Sequence, residues 1–191
     1  VVVLAADAID KLVAAGRVLV GSKGDLVHSG VAVAVRAGAP RPDIGSEEAL
    51  QRAVLAARSI GYSTGPSGVQ LMKLFERWGI ADEIARRTVQ APPGVPVGTL
   101  VARGEVELGF QQLSELLHLD GIDLIGPLPP AVQIVTTFSA GVCSTSVQPE
   151  AARALLAFMS SPETAAAVPR TPHGCGEVLL RGHCPRRSRG S

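Results

Sequence analysis

Aromatic residues are scarce in this 191-residue chain: one Trp, one Tyr and four Phe make up 3% of it. Base-stacking platforms for single-stranded nucleic acid need more rings than that. No apolar run approaches the roughly 20 residues of a membrane-spanning helix, which excludes direct membrane insertion by that route. The three cysteines, Cys143, Cys175 and Cys184, are an odd number and do not make a disulfide framework. Cys143 sits in an apolar, β-rich context and reads as a small buried hydrophobe. There is no Gly-x-Ser-x-Gly elbow, no dinucleotide glycine pattern and no Gly-Lys-Ser/Thr phosphate loop.

What is present is enough apolar material for a core. The chain is 46% hydrophobic and 18% charged, with a net charge of +1. That charge is unevenly placed. From Val168 to Ser191 there are five arginines against Glu177 alone, a tail of +4. The remaining 13 basic and 16 acidic residues leave a mildly acidic body at −3. The basic balance belongs to the tail, so nucleic acid is not the expected partner. The tail, residues 169–191, is expected to be disordered. His173, Cys175, His183 and Cys184 within it lack the two-to-four-residue spacing of zinc pairs in both halves, so no metal is expected there.

Strand and helix patterns alternate. Val1 to Leu4 reads as a buried strand with no signal peptide ahead of it, which suggests that residues before Val1 are missing. Ala5 to Gly16 has apolar residues at helical spacing and a glycine stop. Val31 to Val35 is a second apolar strand. Ser46-Glu47-Glu48 opens a helix, with a hydroxyl cap and acids facing the positive end of the dipole. Ser59 to Ser63 is a strand, Gly68 to Trp78 a strongly amphipathic helix, and Ala81 to Arg87 a shorter one. Thr88 to Ala91 reads as a strand, Val97 to Ala102 as a helix, Val106 to Phe110 as a strand and Gln112 to Leu119 as a helix. Ile122 to Ile125 and Val132 to Val142 read as strands. Pro149 to Ser160 is a helix with proline in its first turn, and Ser161-Pro162-Glu163 starts another. This alternation predicts an α/β fold with a mostly parallel sheet, whose ligands sit beyond the carboxyl ends of the strands.

Two stretches fall at such strand ends. Ile60-Gly61-Tyr62-Ser63-Thr64-Gly65-Pro66-Ser67-Gly68-Val69 is strand, turn and helix start, with hydroxyls at Ser63, Thr64 and Ser67 and no Lys or Arg. A helix N-terminus offers unsatisfied amides and a positive dipole end, so neutral donors here could hold a dehydrated oxyanion. Ser and Gly at a helix start are also ordinary caps. The second stretch, Leu108-Gly109-Phe110-Gln111-Gln112, places two side-chain amides at a strand's end. His28, His118, the Glu47-Glu48 pair and Glu105/Glu107 have no spacing that requires chemistry.

The order of elements, the Gly-Tyr-Ser-Thr-Gly-Pro-Ser-Gly loop and the Leu-Gly-Phe-Gln-Gln strand end resemble the type II periplasmic solute-binding proteins of ABC importers, in their molybdate-binding-like branch. The resemblance implies a two-lobed periplasmic-binding-protein type II fold with lobe one incomplete. Residues 1–35 and 138–168 would form lobe one and residues 36–137 lobe two. Strands around Val31–Arg36 and Thr136–Ala140 would be the hinge about which such proteins close. It implies ligand binding by Ser63, Thr64, Ser67, Gly68, Val95 and Gln112. Here Pro66-Ser67-Gly68 stands for the amide-donating motif, Val95 within Pro93-Gly94-Val95-Pro96 for a second amide, and Gln112 replaces a tyrosine common in that branch. That replacement favours a small anion other than molybdate. The implied function is capture of a small oxyanion or carboxylate for a membrane permease in the periplasm, with no cofactor. Some proteins resembling this branch isomerise aconitate, so a tricarboxylate isomerase on the same cleft is an alternative. A truncated product without activity is a third.

Overall fold

The computed structural model describes residues 1–161 and Thr164. The expected helix at Ser161-Pro162-Glu163, the basic tail and its His and Cys residues lie outside the described residues, apart from Ser161 itself. The chain divides into two compact units. Among the described residues, one comprises Val1–His28 and residues 137–161, the other Ser29–Thr136.

The first unit holds β1 (Val2–Ala5), α1 (Ala6–Ala14), the first residues of β2 (Gly24–Arg36), most of β7 (Val135–Gly141) and α7 (Pro149–Met159). β1 pairs antiparallel with β7, Val2 opposite Gly141 and Ala5 opposite Phe138. Glycine is required at 141, because a Cβ there would lie 2.6 Å from Val18 Cγ1. Ser22 knots the corner, accepting from the Val142 amide and donating to the Leu19 carbonyl. Leu26, Ala140, Val142 and Leu156 form the unit's core. The expectation of a buried first strand is overturned: Val1, Val3 and Leu4 are 46%, 45% and 40% exposed. Successive strand residues face opposite sides, so exposed Val3 and Leu4 lie on opposite faces of β1, and only Ala5 at its end is buried. Cys143 is half-buried rather than buried, on an isolated bridge to Val18.

The second unit is a sheet between two helical layers. Its elements are the rest of β2, α2 (Glu47–Ala56), β3 (Ile60–Tyr62), α3 (Pro66–Arg77), α4 (Ala81–Ile84), β4 (Thr88–Gln90), α5 (Val97–Ala102), β5 (Leu108–Gln112), α6 (Leu113–Leu116) and β6 (Ile122–Pro127). β2 lies between β6 and β5, antiparallel to both. β3 runs parallel to β5 and to β4. The sheet is therefore mixed, not mostly parallel, because β2 enters it against the direction of the β3–β4–β5 set. β2 is also longer than expected and takes His28 into the strand, where its Nδ1 lies 2.9 Å from Thr137 Oγ1.

Alternation along β2 sorts residues by size. Val31, Val33 and Val35 point into the large core with Leu50, Val54, Leu71 and Phe75 of α2 and α3. Ala32 and Ala34 point the other way, toward Leu113 and Leu116. Phe75 meets Phe110 edge-on, ring centroids 6.0 Å apart. On the opposite face, Gly61 and Gly109 are direct neighbours across β3 and β5, and a Cβ on either would press on Val97 of α5. Their bareness lets that short helix sit on the sheet. The expected strand over Val132–Val142 begins later, at Val135, since Pro130–Val132 forms a 3-10 turn. The expected helix from Gln112 shrinks to one turn, and both glutamines join β5.

Candidate functional site

Register decides which side chains gather at the strand ends. Tyr62 pairs with Phe110 in parallel, so Ser63 follows alongside Gln111. Val31 pairs with Gln112, so Ser29 and Gly30 lie just beyond it. One edge of the second unit's sheet thus collects Ser63, Gln111, Gln112 and Ser29.

From β3 the chain turns through Ser63-Thr64-Gly65 into α3. Pro66 takes the first helical position, where its missing N–H is no loss. The Gly65 carbonyl accepts from the amides of Gly68 at 3.0 Å and Val69 at 3.3 Å. The Gly68 amide is therefore engaged inside the turn, while Ser67, second in the helix, has an N–H beyond the reach of the helical ladder. The Ser63 and Ser67 hydroxyls lie 3.0 Å apart. Ser67 is buried at 5% exposure, Ser63 half-buried and Thr64 exposed. A Cβ on Gly68 would overlap the Ser63 carbonyl oxygen, so glycine is what lets the helix start close over the strand end.

The Val95 amide donates to the Pro92 carbonyl at 3.0 Å, in a turn that Gly94 closes with φ +79°. At the start of α5, the Gly98 amide donates to Gln111 Oε1 at 3.3 Å, and Thr99 donates to the Pro96 carbonyl. Gln111 also donates through Nε2 to Glu115 Oε2. Its amide is committed to the fold on both sides.

Gln112 is different. It is only 3% exposed, and its Nε2 donates to Thr136 Oγ1 at 2.6 Å, but its Oε1 is buried with no partner. A hydroxyl both donates and accepts, so Thr136 can serve either end of the amide. The free end then presents either a donor or an acceptor. Ser29, 1% exposed, lies with its hydroxyl 3.2 Å from that of Ser114. Ser29 and Ser114 are not among the sequence-expected site residues, and Thr136 figures in the sequence only as the start of an expected hinge strand. The polar break of Ser29-Gly30 ahead of an apolar run was the available signal for Ser29.

The edge thus holds neutral hydroxyls and amides, with no Lys or Arg in the loop of residues 60–69.

Residues 1–171 match the family described as bacterial extracellular solute-binding protein. The chain is 45% identical over 169 residues to an aconitate isomerase from a Pseudomonas species. That alignment covers 88% of this chain and 64% of the relative, so the chain spans less than two thirds of the relative's length. Among solved structures, the periplasmic molybdate-binding protein of Azotobacter vinelandii superimposes with a TM-score of 0.65 at 22% identity, covering 84% of this chain and 71% of that one. A tungstate ABC transporter structure from Geobacter sulfurreducens gives a TM-score of 0.60 at 14% identity, covering 84% and 72%. At such identities the likeness establishes the fold, a periplasmic-binding-protein type II fold of which this chain is a part. With the family match running over nearly the whole sequence, the chain belongs to the bacterial extracellular solute-binding protein family.

Proposed function

We propose that the chain binds a small carboxylate anion at the strand-end site of its second unit, as the solute receptor of an ABC-type importer in the periplasm. The observation that carries this is the Ser63–Ser67 hydroxyl pair at the start of α3, on the same sheet edge as the half-satisfied amide of Gln112. Hydrogen bonds to a charged group contribute about 1.5–3 kcal/mol each, so a few aimed neutral donors suffice without a salt bridge. Ser67 and Gln112 would hold the anion directly, with Ser63 and Thr64 at the rim. The Gly68 and Val95 amides, each donating to a backbone carbonyl of the chain, would support the loops that shape the site. The two units would act as the two lobes, with β2 and β7 crossing between them. A membrane permease would be the partner.

A second reading is that the chain carries part of an aconitate isomerase, favoured by the 45% identity to a protein of that name. In aconitate the cis and trans forms exchange when a base takes a proton from the methylene carbon, the double bond shifts by one position and a proton is returned to the former alkene carbon, while the carboxylates stay held. Within residues 60–69, Tyr62 is the one titratable side chain, and it sits at the end of β3.

Calorimetric titration of the full chain with cis-aconitate, trans-aconitate and molybdate tests the first reading. Saturable binding of an aconitate, weakened more than tenfold in Ser67→Pro with the fold intact, is the expected result. No saturable heat, or an affinity that Ser67→Pro leaves unchanged, overturns it. Interconversion of the two aconitates, followed by NMR, selects the isomerase; tight binding without turnover selects the carrier.

A further inference from the structure

The outer face of α3 carries a second polar feature, unrelated to the strand ends. A cavity of about 270 Å³ lies between that face and the segment following the 3-10 turn at Pro130–Val132. Gln70, Lys73 and Arg77 line one wall, Gln133 the other, and Leu74 and Ile134 contribute apolar surface. Lys73 and Arg77 are four residues apart, so their side chains leave the helix on one face as neighbours. Arg77 holds Glu47 through Nη2 at 3.2 Å, which leaves other guanidinium N–H groups available. Lys73 has no carboxylate partner among the described residues. The Gln133 side chain is fixed: its Oε1 accepts from the amides of Val31 at 3.1 Å and Ile134 at 2.8 Å. One wall is thus rigid and the other carries two cations, only one of them neutralised.

We infer that this cavity is a binding site for a small dicarboxylate, one carboxylate on Lys73 and the other on the free edge of Arg77. Its volume lies just below the usual range for small-molecule pockets, about 300–1,000 Å³, which limits the ligand to a short acid. Lys73 stands six residues beyond Ser67 on α3, about 9 Å along the axis, so the two sites do not share donors.

Succinate is the probe. Backbone amide NMR of the full chain is followed during titration with succinate, and in parallel with sodium chloride at matched ionic strength. Saturating shifts confined to residues 70–77 and 131–134, absent with chloride, are expected. In Lys73→Gln/Arg77→Gln the apparent affinity falls at least tenfold. Lys73→Gln alone, at an exposed position, keeps the fold and lowers it by a smaller factor. Shifts that grow linearly and equally with chloride overturn the proposal, as does a saturating response that the double variant leaves unchanged.

Discussion

Gln112 donates from Nε2 to Thr136 Oγ1 at 2.6 Å, and the other end of the same buried amide meets nothing. An unpartnered buried polar atom costs about 1–3 kcal/mol, while an ordinary hydrogen bond contributes about 1 kcal/mol net. Gln112→Met removes both at similar volume. The substitution also leaves the buried Thr136 hydroxyl without its amide partner, so urea denaturation is expected to place this variant about 1–2 kcal/mol below the parent. Calorimetry is expected to show aconitate affinity reduced more than tenfold. A loss of stability with affinity preserved would make Gln112 a structural residue only.

The two glycines around Ser67 separate steric need from mere permissiveness. An added Cβ at Gly68 would overlap the Ser63 carbonyl oxygen, whereas at Gly65 nothing lies nearer than 3.8 Å. Neither needs the left-handed region. Gly68→Ala is expected to destabilise by about 2–3 kcal/mol, the scale of overpacking in a tight interior. Gly65→Ala, at the half-buried N-cap of α3, is expected to cost about 0.5–1 kcal/mol, from the cap preference of Gly over Ala and with no steric overlap. Chemical denaturation of the two variants side by side checks the contrast.

Gln111 and Gln112 are sequence neighbours with opposite commitments. Gln111 closes the N-terminus of α5 through Gly98 and also reaches Glu115. Gln111→Ala is expected to lower stability by about 1–2 kcal/mol, like the loss of a helix cap. The urea midpoint is expected to fall, with aconitate affinity nearly unchanged once the protein is folded. A drop in affinity exceeding that of Gln112→Met would assign the ligand contact to the wrong glutamine.

These residues also mark what the sequence carried and what it did not. The strand–turn–helix from Ile60 to Arg77 was legible because its signals are local: glycines, a proline at the helix start, and apolar residues at helical spacing. The family resemblance rested on the same loop together with the order of elements and the Leu-Gly-Phe-Gln-Gln strand end. The first seven residues of β2 were not legible, since Asp25, His28 and Ser29 interrupt any apolar pattern and are held by pairings distant in sequence. Strand direction is likewise non-local, so the antiparallel entry of β2 between β5 and β6 left no trace in periodicity. The apolar character of Val1–Leu4 signalled a strand correctly, but burial depends on what packs against it, and nothing described covers Val3 or Leu4. The Thr136 contact, made across 24 residues of sequence, separates the two glutamines in a way no spacing rule could.

The helix start at Ser46 supplies a prediction in pH. Ser46 Oγ accepts from the Ala49 amide at 3.1 Å, and Glu48 sits in the first turn of α2. Hydrogen bonding from its own backbone amide, first, and from the Ser46 side chain, second, holds the Glu48 carboxyl below its ordinary value, with a smaller pull from Arg52. A carboxyl whose folded-state pKa is depressed adds stability above its unfolded pKa, and that stability is lost as pH falls through the folded value. Glu48→Gln is therefore expected to be less stable than the parent near neutral pH, with the gap closing as acid protonates Glu48 in both states. Because Glu48 is solvent-exposed, salt is expected to shrink the Arg52 contribution and leave the short-range hydrogen-bond contribution in place. Carboxyl-detected NMR titration of Glu48, paired with denaturation of both proteins across the acidic range, checks the sign. A gap that widens on acidification would contradict it.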